Sequence, residues 1–534
     1  VTGVEIALSL ISHTNAGKTT LARTLLGRDI GEVRDAPHVT AEATPHTLQL
    51  TPEGDTLVLW DTPGFADSAR LARRLAQQNN PVGWFLSQVW DRFRDRALYL
   101  SQKAVRNVRD QADIVLYLVN ASETPADAGY VAPELEVLRW IGRPIFVLLN
   151  QMGPPRPPAE EEALVSRWRD ALARRPLIGS VLPLDAFARC WVQETVLLRA
   201  LAQAIPPVKR PGYERLVAAW FARRRGQFDE SMSALAAPLV QAACDGVTLA
   251  RSSLGDRVRE AVRSLLARPT ESEQQRTAAL ALAERLDAAL RHSTDRLIAI
   301  HGLEGTAADA VLERLASHLR TDSPVGEGRA ALMGGVLSGA LSGLAADLAA
   351  HGLTFGAATL IGAIAGALGG AGLARGYNVI RGRTASVLRW DDELLDRLVP
   401  AALLRYLAVA HFGRGRGDWK ESEYPAFWSE VVQREVDARQ GLFAALWHRR
   451  DSGPDVTTFE RELRPLLADA TSAVLRALYP GVLDETEDAG ALGVPLGADG
   501  SSGSTSRPTS SAASASTTMG SRGNAGPISH PNGE

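Results

Sequence analysis

The run Ser12-His13-Thr14-Asn15-Ala16-Gly17-Lys18-Thr19-Thr20 concentrates the residue types that hold a polyphosphate. An apolar stretch from Val4 to Ile11 precedes it, and an alanine- and leucine-bearing helix pattern follows to Gly27. That is the strand, loop and helix setting in which G-x-x-x-x-G-K-[ST] cradles phosphates, here with Ser12 in place of the first glycine. Gly17 lets the backbone come close to a pyrophosphate. The N–H groups from His13 to Thr20 face the anion with the helix dipole behind them. Lys18 places a compact ammonium between the β- and γ-phosphates, and the Thr19 hydroxyl is read as a magnesium ligand. Lysine itself is informative at this point. Lys18, Lys103, Lys209 and Lys420 are the chain's lysines, and arginine supplies the rest of its 58 basic side chains, so an ammonium stands where a point charge is needed.

A second constellation follows. Leu57-Val58-Leu59-Trp60 runs into Asp61-Thr62-Pro63-Gly64, a D-x-x-G in which Asp61 holds magnesium through water and the Gly64 N–H meets a γ-phosphate. Upstream, Pro37-His38-Val39-Thr40 offers the Thr40 hydroxyl to the same metal, with Thr44 as the competing choice. Lys18, Thr40 and Gly64 are therefore the expected catalytic positions, and Thr19, Thr40 and Asp61 the expected Mg2+ ligands.

These residues need a scaffold that brings loop ends together. Apolar runs of strand length occur at Val4 to Ile11, Thr56 to Trp60, Asp113 to Val119, Pro144 to Leu149 and Ile178 to Leu184, separated by helical patterns. Near-continuous hydrophobicity means both faces are covered, the mark of a parallel sheet between helices. The expectation is an α/β P-loop NTPase domain over 1–205, with a mostly parallel sheet and an insertion at 66–110 read as two helices. Beyond Ile205-Pro206-Pro207 the strand signal fades, predicting an all-α region. It divides into a helical domain (206–328), a Gly/Ala-rich hairpin (329–383), a helical C-terminal region (384–483) and a disordered Ser/Gly/Thr-rich tail (484–534). Thr270 and Glu273 form a capping-box pattern ahead of a helix bearing Leu282, Leu286, Leu290 and Leu297 along one side, read as a buried bundle face.

Asn15-Ala16-Gly17-Lys18-Thr19, Thr40 and Asp61-Thr62-Pro63-Gly64 resemble the small-GTPase-type domains related to the tRNA-modification GTPase and Era. The whole chain resembles a bacterial group of such GTPases whose C-terminal half is an uncharacterised domain. The resemblance implies GTP and GDP as ligands, Mg2+ as cofactor, and GTP hydrolysis working as a conformational switch. Two other readings stay open: a nucleotide-gated scaffold with negligible hydrolysis, and an ATP-using P-loop protein.

The family selects guanine with N-K-x-D, but here the strand Pro144 to Leu149 runs into Asn150-Gln151-Met152-Gly153, keeping the Asn alone. Losing the carboxylate removes a bidentate, charge-assisted contact to the base. In Leu184-Asp185-Ala186-Phe187, Ala186 matches the alanine whose N–H meets the base oxygen, and Asp185 is read either as the relocated carboxylate or as a surface or capping aspartate. Phe65 stands where Ras-like proteins place a water-orienting Gln, so intrinsic hydrolysis is expected to be slow. In related potassium-dependent GTPases, an Asn at the position of Asn15 helps bind K+. Here Asn15 either does that or only braces the loop.

The runs Ala330 to Ala346 and Gly352 to Ala374 carry no charge and repeat small residues every fourth position, among them Gly335, Gly339, Gly362 and Gly366. Each approaches the ~20 residues that cross a bilayer, and small-residue spacing allows close helix approach. Arg329, Arg375, Arg381 and Arg383 would keep both ends on the cytoplasmic side. Membrane lipid or a membrane protein is thus an expected partner and the cytoplasmic face of the membrane the expected location, with a soluble bundle in the cytoplasm as the alternative. A homodimer is a further expectation. A formal net charge of -3 over 534 residues lacks the electrostatic footprint of a nucleic-acid binder. Cys190 and Cys244 are read as buried thiols, Arg223-Arg224-Arg225 as a solvated face, and Asp391-Asp392-Glu393 as the polar side of a helix.

Overall fold

The computed structural model of the chain describes residues 3–30, 42–65, 67–88, 95–153, 155–173, 175, 177–186, 190–249, 271–303, 377–381, 386–412, 426–450 and 455–480. Thr40, Thr270, the Gly/Ala runs within 304–376 and the tail beyond 480 lie outside the described residues.

The apolar runs form the expected sheet. Its strands are β1 (Glu5–Ser12), β2 (Thr44–Leu50), β3 (Thr56–Asp61), β4 (Ile114–Asn120), β5 (Ile145–Asn150) and β6 (Ile178–Pro183), in the order β2-β3-β1-β4-β5-β6. All neighbours are parallel except β2, which pairs antiparallel with β3 at the edge. β2 is a correction to the sequence reading. Its Thr-Pro-His-Thr-Leu-Gln-Leu is polar and largely exposed, because one neighbour and water satisfy an edge strand without an apolar pattern. Thr44 opens this strand in register with Asp61.

Helices α1 (Lys18–Leu26), α2 (Ser68–Leu75), α3 (Pro81–Ser87), α4 (Arg96–Asp110), α5 (Val131–Ile141), α6 (Pro158–Leu172) and α7 (Trp191–Ala202) cover both faces. Among its described residues the 66–110 insertion thus contributes three helices, where the sequence reads as two. The unexpected one is α3, which starts at an Asn80 N-cap accepting the Gly83 N–H and has Pro81 in its first turn. On one face Phe65, Leu71, Phe85, Val105, Tyr117 and Trp168 pack together. On the other, Leu21, Leu25, Leu197, Tyr213, Leu216 and Trp220 do.

The last three of those residues introduce α8 (Arg210–Cys244), whose 35 residues extend roughly 50 Å. Its first half closes the sheet's core. Its second half, through Met232, Leu235 and Leu239, enters a third core with Leu282, Leu286, Trp447 and Phe459. That core is built from α9 (Glu271–Ile300), α10 (Asp392–Ala410), α11 (Ala426–Asp437), α12 (Gln440–Arg449) and α13 (Val456–Leu478). The leucine side of α9 is a buried bundle face, with Leu282, Leu286 and Leu297 fully covered and Leu290 partly so.

The C-terminal region is not all helix. β7 (Val247–Leu249), β8 (Tyr377–Arg381) and β9 (Ser386–Trp390) form an antiparallel sheet ordered β7-β9-β8. Strands of three to five residues fall below the length at which periodicity shows, and β7 reaches its partner across more than a hundred residues. Arg381 ends β8, within the bounds read from the sequence as the Gly/Ala-rich hairpin. Arg224 departs from the solvated reading too: its guanidinium reaches Glu194 at 2.6 Å, and both Arg223 and Arg224 lie over the Trp220 ring. Cys190 is buried, whereas Cys244 is only partly covered. Asp391 caps α10 by accepting the Leu394 N–H at 2.8 Å.

Candidate functional site

β1 ends at Ser12 and α1 begins at Lys18, so the loop between them lies at the carboxyl end of the parallel strands, where ligands of open α/β sheets bind. Gly17 is the N-cap of α1 with φ +85°, and α1 carries no side-chain cap. A helix start without a side-chain cap is the arrangement that can present its first amides to an anion. A side chain at Gly17 would be strained by that φ, and its Cβ would sit 2.5 Å from Asn150 Nδ2. Asn15 is likewise left-handed, at φ +66°, and exposed.

Lys18 is 7% exposed and its Nζ donates to Ser12 Oγ at 2.9 Å. Ser12, where the motif has glycine, thus supplies a hydroxyl that holds the lysine in the loop. Burial pulls the Lys18 ammonium down to about 8, opposed by the nearby Asp61 and Glu134 carboxylates. A polyphosphate at the loop would restore the charged form. Gly64 abuts this lysine: a Cβ built on it would lie 2.9 Å from Lys18 Nζ.

Thr19 Oγ1 donates to Asp61 Oδ2 at 2.7 Å. Asp61 is 4% exposed, and its Oδ1 is buried with no hydrogen-bond partner among the described residues. Burial raises the Asp61 carboxyl, against the Thr19 hydrogen bond and the Lys18 charge. An unsatisfied carboxylate oxygen beside a threonine hydroxyl is a hard-oxygen donor set, which fits Mg2+.

Several of the other assigned residues make contacts within the protein. The Thr14 N–H and hydroxyl both donate to Phe65 O, at 2.9 and 2.7 Å, so this amide serves the loop and not a phosphate. The Phe65 N–H returns to Ser12 O at 2.8 Å, and its ring is wholly buried in the sheet core. Asn150 is fully buried: Nδ2 donates to Ala16 O and Oδ1 accepts the Ala186 N–H, both at 2.8 Å. Asn150 therefore fastens the phosphate loop to the β6 loop, and the Ala186 amide is engaged within the protein instead of facing a base. Asp185, 4% exposed, accepts the Met152 N–H at 2.6 Å. Gly153, where the family has its acid, sits at φ +84°, a conformation costly for a side chain. Thr20 is buried in α1, whose Thr24 hydroxyl reaches Ala186 O at 3.0 Å.

Sequence reasoning missed two groups here. Gln151, at φ +57°, directs Nε2 to Asn15 O at 3.4 Å, steadying the loop from the side of the base motif. The second is Glu134 of α5, which accepts from His13 of the loop. Its signal was a charge on the apolar stripe of Val131, Leu135 and Leu138.

Comparison with known proteins finds relatives for both parts of the chain. Residues 8–151 match the family described as 50S ribosome-binding GTPase, and residues 169–462, more than half of the chain, match the domain of unknown function DUF3482. The chain belongs to the Era-like P-loop GTPases that carry a DUF3482 domain. Among curated relatives, GTPase Era of Heliobacterium modesticaldum is 25% identical over 173 residues, covering 32% of this chain and 47% of Era. GTPase Der of Citrifermentans bemidjiense is 26% identical over 155 residues, covering 29% of this chain and 28% of Der. The chain thus spans less than half the length of these relatives. A solved structure of Era with MgGDPNP and a 16S ribosomal RNA segment aligns with 56% of this chain and 90% of its own, at 12% identity and a TM-score of 0.29.

Proposed function

We propose that this DUF3482-family chain binds GTP with Mg2+ at the Ser12–Thr20 loop and hydrolyses it slowly, the two nucleotide states serving as a conformational switch for the helical half. The observation that carries the reading is the uncapped start of α1 at Gly17, with Lys18 and the Thr19–Asp61 pair beside it. Thr19 and Asp61 would hold the metal, joined by Thr40 on the sequence reading. Bound there, Mg2+ would neutralise charge on the β- and γ-phosphate oxygens. Lys18 binds the same oxygens, and the Gly64 N–H orients the γ-phosphate. Water oxygen then bonds to the γ-phosphorus as the bond to the bridging oxygen breaks, GDP leaving with the electron pair and the water's proton passing to a phosphate oxygen, which gives GDP and inorganic phosphate. Asn150 and Gln151 hold the loop, and Asp185 supplies the carboxylate that Gly153 lacks for reading the base. Asn15 would hold K+, which would offset charge where Phe65 gives no hydrogen bond.

The Gly/Ala runs of 330–374 extend the proposal to membrane attachment at the cytoplasmic face. Their composition supports it, and among the described residues no helix is long and apolar enough to cross a membrane. The scaffold reading is favoured by one observation, the buried Phe65 ring. Titration calorimetry with GTP, XTP and ATP, followed by phosphate release in K+ and Na+ buffers with and without liposomes, separates these readings. The switch requires GTP uptake and turnover, faster in K+, with liposome binding that disappears when 330–374 is deleted. Uptake without turnover leaves the scaffold, and no uptake of any triphosphate refutes both.

A further inference from the structure

Glu134 is a carboxylate with no exposure, set on the apolar face of α5. Burying such a group costs several kcal/mol unless its oxygens are hydrogen-bonded, and an aliphatic side chain would serve the packing better. Its oxygens are in fact saturated by donors from three separate elements. Oε1 meets His13 Nδ1 of the phosphate loop at 2.7 Å and also accepts the Ser68 hydroxyl at the start of α2. Oε2 accepts the Tyr117 hydroxyl of β4 at 2.8 Å. Tyr130 stacks on the His13 ring with centroids 4.5 Å apart, which fixes the imidazole plane.

The placement of these donors matters more than their number. Ser68 lies four residues after Gly64, and Phe65 between them is bridged by backbone to Ser12 and Thr14. The segment leaving Asp61-Thr62-Pro63-Gly64 is therefore held to the phosphate loop twice, once by Phe65 and once by Ser68–Glu134–His13. The first attachment is backbone at Phe65, with the Thr14 hydroxyl added, and does not involve Glu134. The second depends wholly on one carboxylate. We propose that Glu134 is a positioning residue: through Ser68 and His13 it locks this segment onto the phosphate loop and so sets the preference of the site for triphosphate over diphosphate. The inference rests on the nucleotide reading above. The β-phosphate contacts expected of Asn15 to Thr19 make no hydrogen bond to Glu134, and Ser68→Ala leaves the Glu134 charge beside Lys18 in place, so diphosphate binding is spared when Ser68 releases the lock. The γ-phosphate contact of Gly64 does depend on where this segment lies.

The test compares dissociation constants for GDP and a non-hydrolysable GTP analogue in wild type, Ser68→Ala, Glu134→Leu and the double variant, with thermal unfolding recorded for each. Ser68→Ala should lower the analogue-to-GDP affinity ratio about 3- to 10-fold, the scale of one hydrogen bond, with GDP affinity retained. Glu134→Leu should lower it further, and Ser68→Ala added to it should change nothing more. Parallel losses for both nucleotides, or an unchanged ratio with only a lowered unfolding temperature, would overturn the proposal and leave Glu134 structural. If Glu134→Leu does not fold, Ser68→Ala alone decides, since it deletes one oxygen. A wild type that binds neither nucleotide refutes the nucleotide reading itself, an outcome distinct from a bound pair with an unchanged ratio.

Discussion

At the scale of single residues, the site is a set of short polar contacts around one loop, and several side chains do work that their types alone do not announce. Ser12 holds Lys18, Asn150 joins Ala16 to Ala186, and Phe65 acts through its backbone. On the proposed reading base selection turns on Asp185, because Gly153 carries no acid and the Ala186 amide is engaged by Asn150. Asp185→Asn preserves an oxygen for the Met152 N–H while removing the charge. It is expected to shift preference from GTP toward XTP about 10-fold, the worth of one charge-assisted contact, measured as the ratio of the two affinities. An unchanged ratio would leave Asp185 as a support for the Met152 amide alone.

At the scale of elements, α10 and α13 meet through a pair that titrates. His411 Nδ1 donates to Leu407 O, and Nε2 accepts the Tyr479 hydroxyl, each at 2.7 Å. Trp428 lies against the same ring, with centroids 4.7 Å apart. Burial pulls the imidazole from its ordinary 6.5 down to about 4. The unfolded chain therefore binds a proton that the folded one refuses between those pH values, so stability falls as pH drops from 6.5 toward 4. The loss amounts to about 3 kcal/mol at most. Unfolding midpoints recorded across that range should decline for the wild type and decline less for His411→Phe. Equal slopes would show that other groups govern the acid limb.

At the scale of the whole molecule, α8 is the structural link between the nucleotide domain and the helical half. Arg215 pairs with Asp55 and Lys209 with Asp113, both at 2.7 Å, fixing its first turns to the sheet. Trp220 is 1% exposed in the sheet core, and Leu235 is buried in the helical core. Trp220→Ala should cost about 3–5 kcal/mol, as deletion of a buried indole does. Because one helix serves both cores, calorimetry should show a single transition moving to lower temperature. A second transition appearing at the wild-type temperature would mean that the two halves are energetically independent.

What the amino-acid sequence determined by itself was everything written in contiguous residues: the phosphate loop from Ser12 to Thr20, Asp61-Thr62-Pro63-Gly64, and the buried strands with their near-continuous apolar runs. Local chain geometry and strand burial leave such marks because the interacting groups are neighbours. The tertiary structure alone decided the rest. The polar edge strand β2, the short sheet of β7, β8 and β9, and the use of α8 by two cores have no local period to read. The attachments of Glu134 to His13 across 121 positions, and of Asn150 to Ala16 across 134, likewise join groups far apart in the chain. Hydrogen bonds of this kind exist only once folding has brought both partners out of water. A helix or strand pattern can therefore place each residue on an element without revealing what it touches.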